Sequence, residues 1–209
     1  MEQLVDAVRR ALDADDPYLE GQCFDHEVVD ETLDIPFFEL HGIEFDHCSF
    51  VGTNFAKTSF YDCTLTECDF SNAGMDETYF ARTRVVGGKL AGVTLNKAFM
   101  RSTRLVTCML RYANLGEATL EGTTFLDCDM RESFLNEMRL RKSPRFERCD
   151  LTRADFFRTP LRGIDLSTCE IAGIGVSDTH SELVGALIAA DQAVDLVGML
   201  GVKVLQDLE

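Results

Sequence analysis

The sequence predicts an all-β solenoid with four sides and a helix at each end. Three periodicities predict it. Large apolar residues recur at every fifth position, small residues recur two positions before them, and cysteines recur at intervals of twenty. Neither the 3.6-residue period of a helix nor the two-residue period of a flat strand accounts for a period of five. A chain that turns a corner every five residues does.

The large series starts at Leu40 and runs without a break through Phe45, Phe50, Phe55 and Phe60 to Leu135 and Leu140, all 21 slots being large and apolar. At 45% apolar composition, chance would fill roughly nine or ten of them. One extra residue near Ser143-Pro144 shifts the frame, and the series resumes at Phe146, Leu151, Phe156, Leu161, Leu166 and Ile171. The small register includes Thr53, Thr58, Cys63, Ala73, Thr83, Ala113, Ala118, Ser133 and Ala154. Each unit therefore sends one small and one large side chain inward and leaves three positions, mostly polar, outside.

Cysteine spacing gives the number of sides. Cys48, Cys68, Cys108, Cys128, Cys149 and Cys169 are separated by 20 or 40 residues, plus one at the frame shift, with Gly88 in the gap. They share one side if a turn of the coil takes four units. Stacked turns then place these sulfurs in a ladder at roughly the 4.8 Å inter-strand spacing. Zinc sites use two cysteines two to four residues apart, twice; here only Cys63 and Cys68 come close, and they fall on different sides. The cysteines read as free, buried small hydrophobes, and no metal or cofactor is expected. Leu40 to Ile171 makes between six and seven turns, a rod of roughly 30 Å at the same spacing.

The organisation follows. Residues 1–16 are a capping helix, with Leu4, Val5, Val8, Ala11 and Leu12 on one face. Residues 17–39 form an irregular first turn in which Cys23-Phe24 looks like coil and Asp25 to Asp34 like a loop. Residues 40–176 are the regular coil. Residues 177–209 close the rod: Leu183 and Ile188 restore the spacing, Asp191 caps a helix running to about Leu200, Gly201 stops it, and Val202 to Leu205 read as a short strand. This apolar end covers the core, pairs with a second copy, or does both.

Composition narrows the function. Net charge is −16 over 209 residues, which excludes nucleic acid as a direct ligand because phosphate binding needs a basic surface. No stretch has the ~18 apolar residues of a membrane span. The start, Met1-Glu2-Gln3-Leu4-Val5-Asp6, lacks a secretory pattern, so a cytoplasmic protein is expected. An enzyme is not expected. His26, His41, His47 and His180 form no recurring pair with a nucleophile, Gly87-Gly88 sits at a coil corner rather than in a phosphate loop, and the carboxylates lie outward on a convex rod.

The repeats resemble the pentapeptide-repeat family, whose consensus is A-(D/N)-L-x-x. Ala73-Gly74-Met75, Ala113-Asn114-Leu115, Cys128-Asp129-Met130, Cys149-Asp150-Leu151 and Ala154-Asp155-Phe156 match it. The ending Leu183-x-Gly185, Gln192-Ala193, Leu196 and Leu200-Gly201-Val202-x-Val204 is similar to that of the Qnr quinolone-resistance proteins and their mycobacterial relative. This resemblance implies a right-handed quadrilateral β-helix and a homodimer joined at the C-terminus through Ala193, Leu196, Val197, Leu200, Val202 and Val204. It also implies a DNA-mimicking role: binding to DNA gyrase or topoisomerase IV and protection from fluoroquinolones. A scaffold with another protein partner, or self-immunity against a different gyrase toxin, is the alternative. Enterobacterial Qnr proteins carry two loops projecting from the coil, whereas Leu40 to Leu140 leaves room for none.

Charge is unevenly divided. Met1–Phe80 has net charge −16, Ala81–Arg162 +7 and Gly163–Glu209 −7. Folded in twenties, Arg82, Arg101, Arg139, Arg141, Lys142 and Arg162 fall on the side centred on Leu40, and Arg84, Arg104 and Arg145 on the Phe45 side. Asp69, Asp129, Asp150 and Glu170 fall on the Phe50 side. Asp76, Glu77, Glu117, Glu137 and Asp155 fall on the Phe55 side, taken as opposite the Leu40 side. The pattern reads either as charge balance over a solvated surface or as two acidic sides facing a basic partner. In the second reading Asp69, Asp76, Glu77, Glu117, Asp129, Glu137, Asp150 and Asp155 carry the contact.

Overall fold

The computed structural model describes residues 3–29 and 34–203. Two parallel sheets of seven three-residue strands run along the rod. On the Leu40 side lie β1 (Tyr18–Glu20), β3 (Glu39–His41), β5 (Ser59–Tyr61), β7 (Tyr79–Ala81), β9 (Phe99–Arg101), β11 (Thr119–Glu121) and β13 (Arg139–Arg141). The Phe45 side carries β2 (Cys23–Asp25), β4 (Glu44–Asp46), β6 (Thr64–Thr66), β8 (Arg84–Val86), β10 (Arg104–Val106), β12 (Thr124–Leu126) and β14 (Arg145–Glu147). The Phe50 and Phe55 sides are joined from turn to turn by single bridges, such as Ser49 with Asp69 and Asn54 with Gly74. The fold is the quadrilateral β-helix expected from the repeats.

Packing follows the two inward registers. The large series fills the axis, and Phe50, Phe60, Leu115, Leu120 and Phe156 are fully buried. Phe50 stacks on Phe70 with centroids 4.8 Å apart, and Phe60 on Phe80 at the same distance. Offset rings at this separation suit the aromatic quadrupole. Small residues of the second register also donate. Thr83 Oγ1 donates to Phe60 O at 3.0 Å and Cys63 Sγ to Leu40 O at 3.3 Å. Cys48, Cys68, Cys108, Cys128, Cys149 and Cys169 donate in the same way to carbonyls of the turn before. Cysteine and threonine recur there because a small side chain with a donor fills the slot and satisfies a buried carbonyl.

Corners impose a cost that the ladder offsets. From Leu40 to Leu161 the residue two after each large centre has a left-handed backbone, and non-glycine residues often occupy the position: His47 (φ 50°), Glu77 (57°), Thr107 (52°) and Glu137 (55°). For such residues this conformation costs roughly 1–2 kcal/mol. Gly87 is one of these corners, at φ 66°, but Gly88 is not. It holds an inward slot where an added Cβ would lie 3.0 Å from Val85 Cγ1 and 3.1 Å from Leu90 Cδ1.

Irregularities sit where the frame slips. In the first turn Leu19, Phe24 and Val29 are buried in frame and Ile35 follows one residue late. Residues 25–29 therefore continue the coil, with Val28 bridged to Ser49, rather than opening a loop; the rest of that expected loop, 30–33, lies outside the described residues. The second slip falls between β13 and β14, where Lys142 and Ser143 are consecutive left-handed residues. The Leu40-side sheet ends at β13, just before it, and the Phe45-side sheet at β14, just after it. Pro160 has no N–H for the ladder, Met138 N binds Thr159 Oγ1 at 2.9 Å, and Arg148 N binds Thr168 Oγ1 at 3.1 Å. Leu140 is consequently only partly buried.

Helices cover the ends. α1 (Leu4–Asp13) lays Leu4, Ala7, Val8 and Ala11 against the first turn. At the other end, Leu183 and Ile188 pack on the core and Leu166 N bonds Leu187 O at 2.8 Å. α2 (Ala193–Met199) begins after Gln192, not after a capping Asp191; Asp191 is exposed. Gln192 is buried and holds the last carbonyls: its Nε2 donates to Leu166 O at 2.9 Å and to Cys169 O at 2.5 Å. Gly201 follows α2 with φ 74°. Val202 and Lys203 belong to no strand, and Val204 and Leu205 lie outside the described residues. Among the described residues no helix is long and apolar enough to cross a membrane.

Candidate interaction surfaces

Consecutive units form consecutive sides, so the Phe55 side adjoins the Leu40 side and faces the Phe45 side. The expectation that it stands opposite the Leu40 side is wrong: the chain passes directly from Phe55 round a corner to Phe60. Glu77, Glu117 and Glu137 occupy the corner that the two sides share. Asp69, Asp129 and Asp150 line one bridge column on the Phe50 side; Asp155 belongs to the column on the Phe55 side, four turns along the rod from the turn that carries Asp76.

Most of these carboxylates are neutralised from the same sides. Six of the eight lie within reach of a cation: Asp69 of Lys89 at 3.7 Å, Glu77 of Lys57 and Glu117 of Lys97 at 3.9 Å, Glu137 of Arg158 at 3.4 Å, and Asp129 and Asp150 of Arg131 at 2.5 and 3.4 Å. Arg131 makes a forked bond to Asp129 and holds its carboxyl below the usual range. Asp76 instead accepts from Asn96 N and Nδ2 at 3.0 and 3.1 Å, and Asp155 from Phe157 N at 3.0 Å. Exposed pairs contribute little stability, about 0–1 kcal/mol, but they do flatten the surface field.

Uncompensated charge is arranged along the rod rather than around it. Between Leu12 and Phe80 the single basic residue is Lys57. Glu20, Asp25, Glu44 and Asp46 are exposed on the first two turns of the Leu40 and Phe45 sides. Further along the same sides stand Arg84 and Arg104, paired in register on adjacent strands, and then Arg139, Arg141 and Arg162. Among the described residues, none of these five arginines has a carboxylate within ion-pair distance.

The histidines and cysteines take structural places. His26 and His47 stack at 4.9 Å, and with Asp25 they bring three exposed metal-capable atoms within 4.8 Å of one another. His41 lies in an external aromatic column described below, and His180 precedes a short 3-10 turn, Ser181–Leu183. Burial pushes the Cys63 thiol up to about 11. Neighbouring thiols and burial push Cys128 and Cys149 up to about 12. Such thiols stay protonated at neutral pH and are poor nucleophiles or ligands.

Of the expected dimer residues, Ala193, Leu196 and Val197 are half-buried, while Leu200 and Val202 are more than half exposed; Val194, on the same helix, is 50% exposed. Leu196 packs on the rod's own core. Val204 lies outside the described residues. Two residues important to this end have no signal in the five-residue period. Gln192 ties off the ladder, and Glu182, buried at 3% exposure, accepts from Arg158 N and Ser177 Oγ at 2.8 Å.

A column of rings on the Leu40 side was also hidden from the period. Tyr18, His41, Tyr61, Tyr79 and Phe99 run in sequence with centroids 5.1, 4.4, 5.4 and 5.5 Å apart. Tyr18, Tyr79 and Phe99 precede the buried centre of their strand and His41 and Tyr61 follow it, so no single register collects them.

Residues 39–75, 89–125 and 108–143 match the family model described as Pentapeptide repeats, with eight copies. Full-length QnrB1, a plasmid-mediated fluoroquinolone resistance protein, is similar at 13% identity and a TM-score of 0.35, covering 88% of this chain and 100% of its own. HetL, involved in heterocyst differentiation regulation in the cyanobacterium Nostoc sp. strain PCC 7120, is similar at 16% identity and 0.33, covering 84% and 93%. Rfr23 of the cyanobacterium Cyanothece 51142 is similar at 16% identity and 0.27, covering 88% and 99%. No curated protein has significant sequence similarity to the chain.

Proposed function

The chain belongs to the pentapeptide-repeat family, and from that premise we propose that it is a binding protein working through the outside of its rod: a DNA mimic that engages DNA gyrase or topoisomerase IV and protects it from fluoroquinolones. The observation that carries the reading is the uncompensated acidic end. The chain has net charge −16, residues 1–80 alone carry −16, and on the first two turns the exposed Glu20, Asp25, Glu44 and Asp46 have no lysine or arginine within ion-pair distance among the described residues. A topoisomerase surface built to hold duplex DNA is basic, and complementary fields accelerate and orient association. The C-terminal likeness to the Qnr branch adds to it. Exposed Leu200 and Val202 suit a homodimer joined at that end. On the lateral sides, Asp76 and Asp155, which have no cation, are the stronger contact candidates. Asp69, Glu77, Glu117, Asp129, Glu137 and Asp150 contribute only if the partner displaces their present pairs.

The test is a supercoiling assay with purified gyrase and ciprofloxacin. The expected result is rescue of supercoiling at low protein concentration and inhibition at high concentration. Glu44→Lys with Asp46→Lys should abolish both while leaving the fold intact, and Asp76→Lys with Asp155→Lys should weaken them. Absence of any effect with gyrase and with topoisomerase IV would overturn the reading. Full activity of the folded Glu44→Lys/Asp46→Lys variant would move the contact away from the acidic end.

A further inference from the structure

The Leu40 side has the pattern of a self-complementary interface. Its outer surface is divided into three zones along the rod. The first two strands present Glu20 and Glu39, the middle presents the half-buried rings of Tyr61, Tyr79 and Phe99, and the far end presents Arg139, Arg141 and Arg162. Tyr79 and Phe99 lie on adjacent strands 5.5 Å apart at the centre of the series. Unlike Lys57, Lys89, Lys97, Arg131 and Arg158, Arg139 and Arg162 have no carboxylate within ion-pair distance among the described residues; Arg141 lies in register beside Glu121, which is itself bridged to Arg101 and Lys142.

We infer that this side is a lateral docking surface for a second copy of the chain, laid antiparallel. A two-fold axis lying in the interface, across the rod between the Phe80 and Met100 strands, reverses the order of strands and keeps each column over itself. The strand of Leu19 then meets the level of Leu161, and that of Leu40 meets that of Leu140. Glu20 faces Arg162, Glu39 faces Arg139, and Tyr79 faces Phe99, each pair occurring twice as an isologous contact requires. A parallel arrangement would set acid on acid and base on base, which is disfavoured. The same flatness that lets strands stack lets two such sides meet.

The surface is narrow. Seven or eight rungs at about 4.8 Å and strands about 10 Å long give roughly 350–400 Å² per copy, about half of what each partner of a standard stable complex buries. Association is therefore weak and strongly dependent on salt. It is separate from the C-terminal end, and it leaves the Phe50 side and the acidic Glu44 and Asp46 strand outside.

Sedimentation equilibrium of the full chain at high micromolar concentration reads this directly. The weight-average mass at 20 mM salt is expected to exceed that at 500 mM salt, approaching a twofold increase as concentration rises. Glu20→Arg with Glu39→Arg makes both ends of the side basic, and Arg139→Glu with Arg162→Glu makes both acidic. Each variant alone should lose the low-salt increase. An equimolar mixture of the two should regain it, because every end-to-end contact is then between opposite charges. Damage to the fold cannot produce that recovery. No salt-dependent increase in the wild type, or variants that each associate as before, would overturn the inference; so would a mixture that fails to recover although both variants keep the wild-type circular dichroism and melting temperature.

Discussion

Leu120 and Leu140 occupy the same slot one turn apart, and they differ in what lies above them. Leu120 is fully buried between β9 and β13, whereas Leu140, on the last strand of its sheet, is only partly covered. The sequence around the two is equally regular on the N-terminal side. What separates them is a proline at 160 and a threonine hydroxyl at 159 in place of the next strand, while the Phe45-side sheet runs on to β14 past the extra residue at Ser143 and the Phe50 and Phe55 sides continue by bridges from Asp129 to Asp150 and from Phe134 to Asp155. The comparison teaches that burial in this fold is conferred by the next turn. The loss is local to the Leu40 side: Phe146, on the last strand of the other sheet, stays buried at 2% exposure.

The sharpest way to break the regular region is Leu115→Asp. Leu115 has no exposure, and an unpaired charge there should cost more than about 4 kcal/mol, enough to abolish the β signal in circular dichroism and the cooperative melt. Retention of both would mean the centre register is misassigned. A smaller effect separates the two leucines themselves. Leu120→Ala should lose about 2–5 kcal/mol, as fully buried leucines do, and Leu140→Ala about 1 kcal/mol, since part of its surface already meets water. Equal losses in chemical denaturation would mean that the last turn covers Leu140 in solution.

The smallest expected effect concerns pH. Burial opposes ionisation of Glu182, but donors from Arg158 N and Ser177 hold its carboxyl below the usual carboxylate range. A group depressed on folding stabilises above its unfolded value of about 4.3, and that contribution is lost as pH falls through the lower folded value. Amide exchange in 177–190 should therefore accelerate between pH 5 and pH 3 (approximate bounds from the same reference value) before exchange in the regular turns does. In Glu182→Gln that difference should disappear. Simultaneous acceleration in both regions of the wild type would show that Glu182 does not control the end.

The five-residue period made the interior legible because it is set by one repeated demand, a small and a large side chain per corner. Leu40 to Leu140 and the cysteine ladder could be read from it, and the two covering helices from the three- and four-residue spacing of their apolar residues. The exterior was less legible. Residues on it are constrained by partners twenty positions away, and the paired state of Glu77 with Lys57, or of Glu137 with Arg158, depends on rotamers that spacing does not specify. The side order was read wrongly because adjacency in a closed polygon is easily taken for opposition. Gln192 and Glu182 escaped because their work lies where the repeat has ended, and a single polar residue closing a ladder has no periodic signature.

The uniform twenty-residue interval between paired strands from Leu40 to Leu140 has a consequence for how such a chain changes length. Removing residues 81–100 would bring Phe80 next to a segment that carries the same corners, the same inward register and the same ladder phase as the segment lost. Each surviving turn would still meet a neighbour of the kind it had before. Duplication of a similar block would lengthen the molecule by the same logic. The rod is thus a ruler graduated in whole turns: an insertion or deletion of twenty leaves every side facing its old direction, while one of five rotates everything beyond it by a quarter turn and carries the acidic, aromatic and basic markings of one side onto the next.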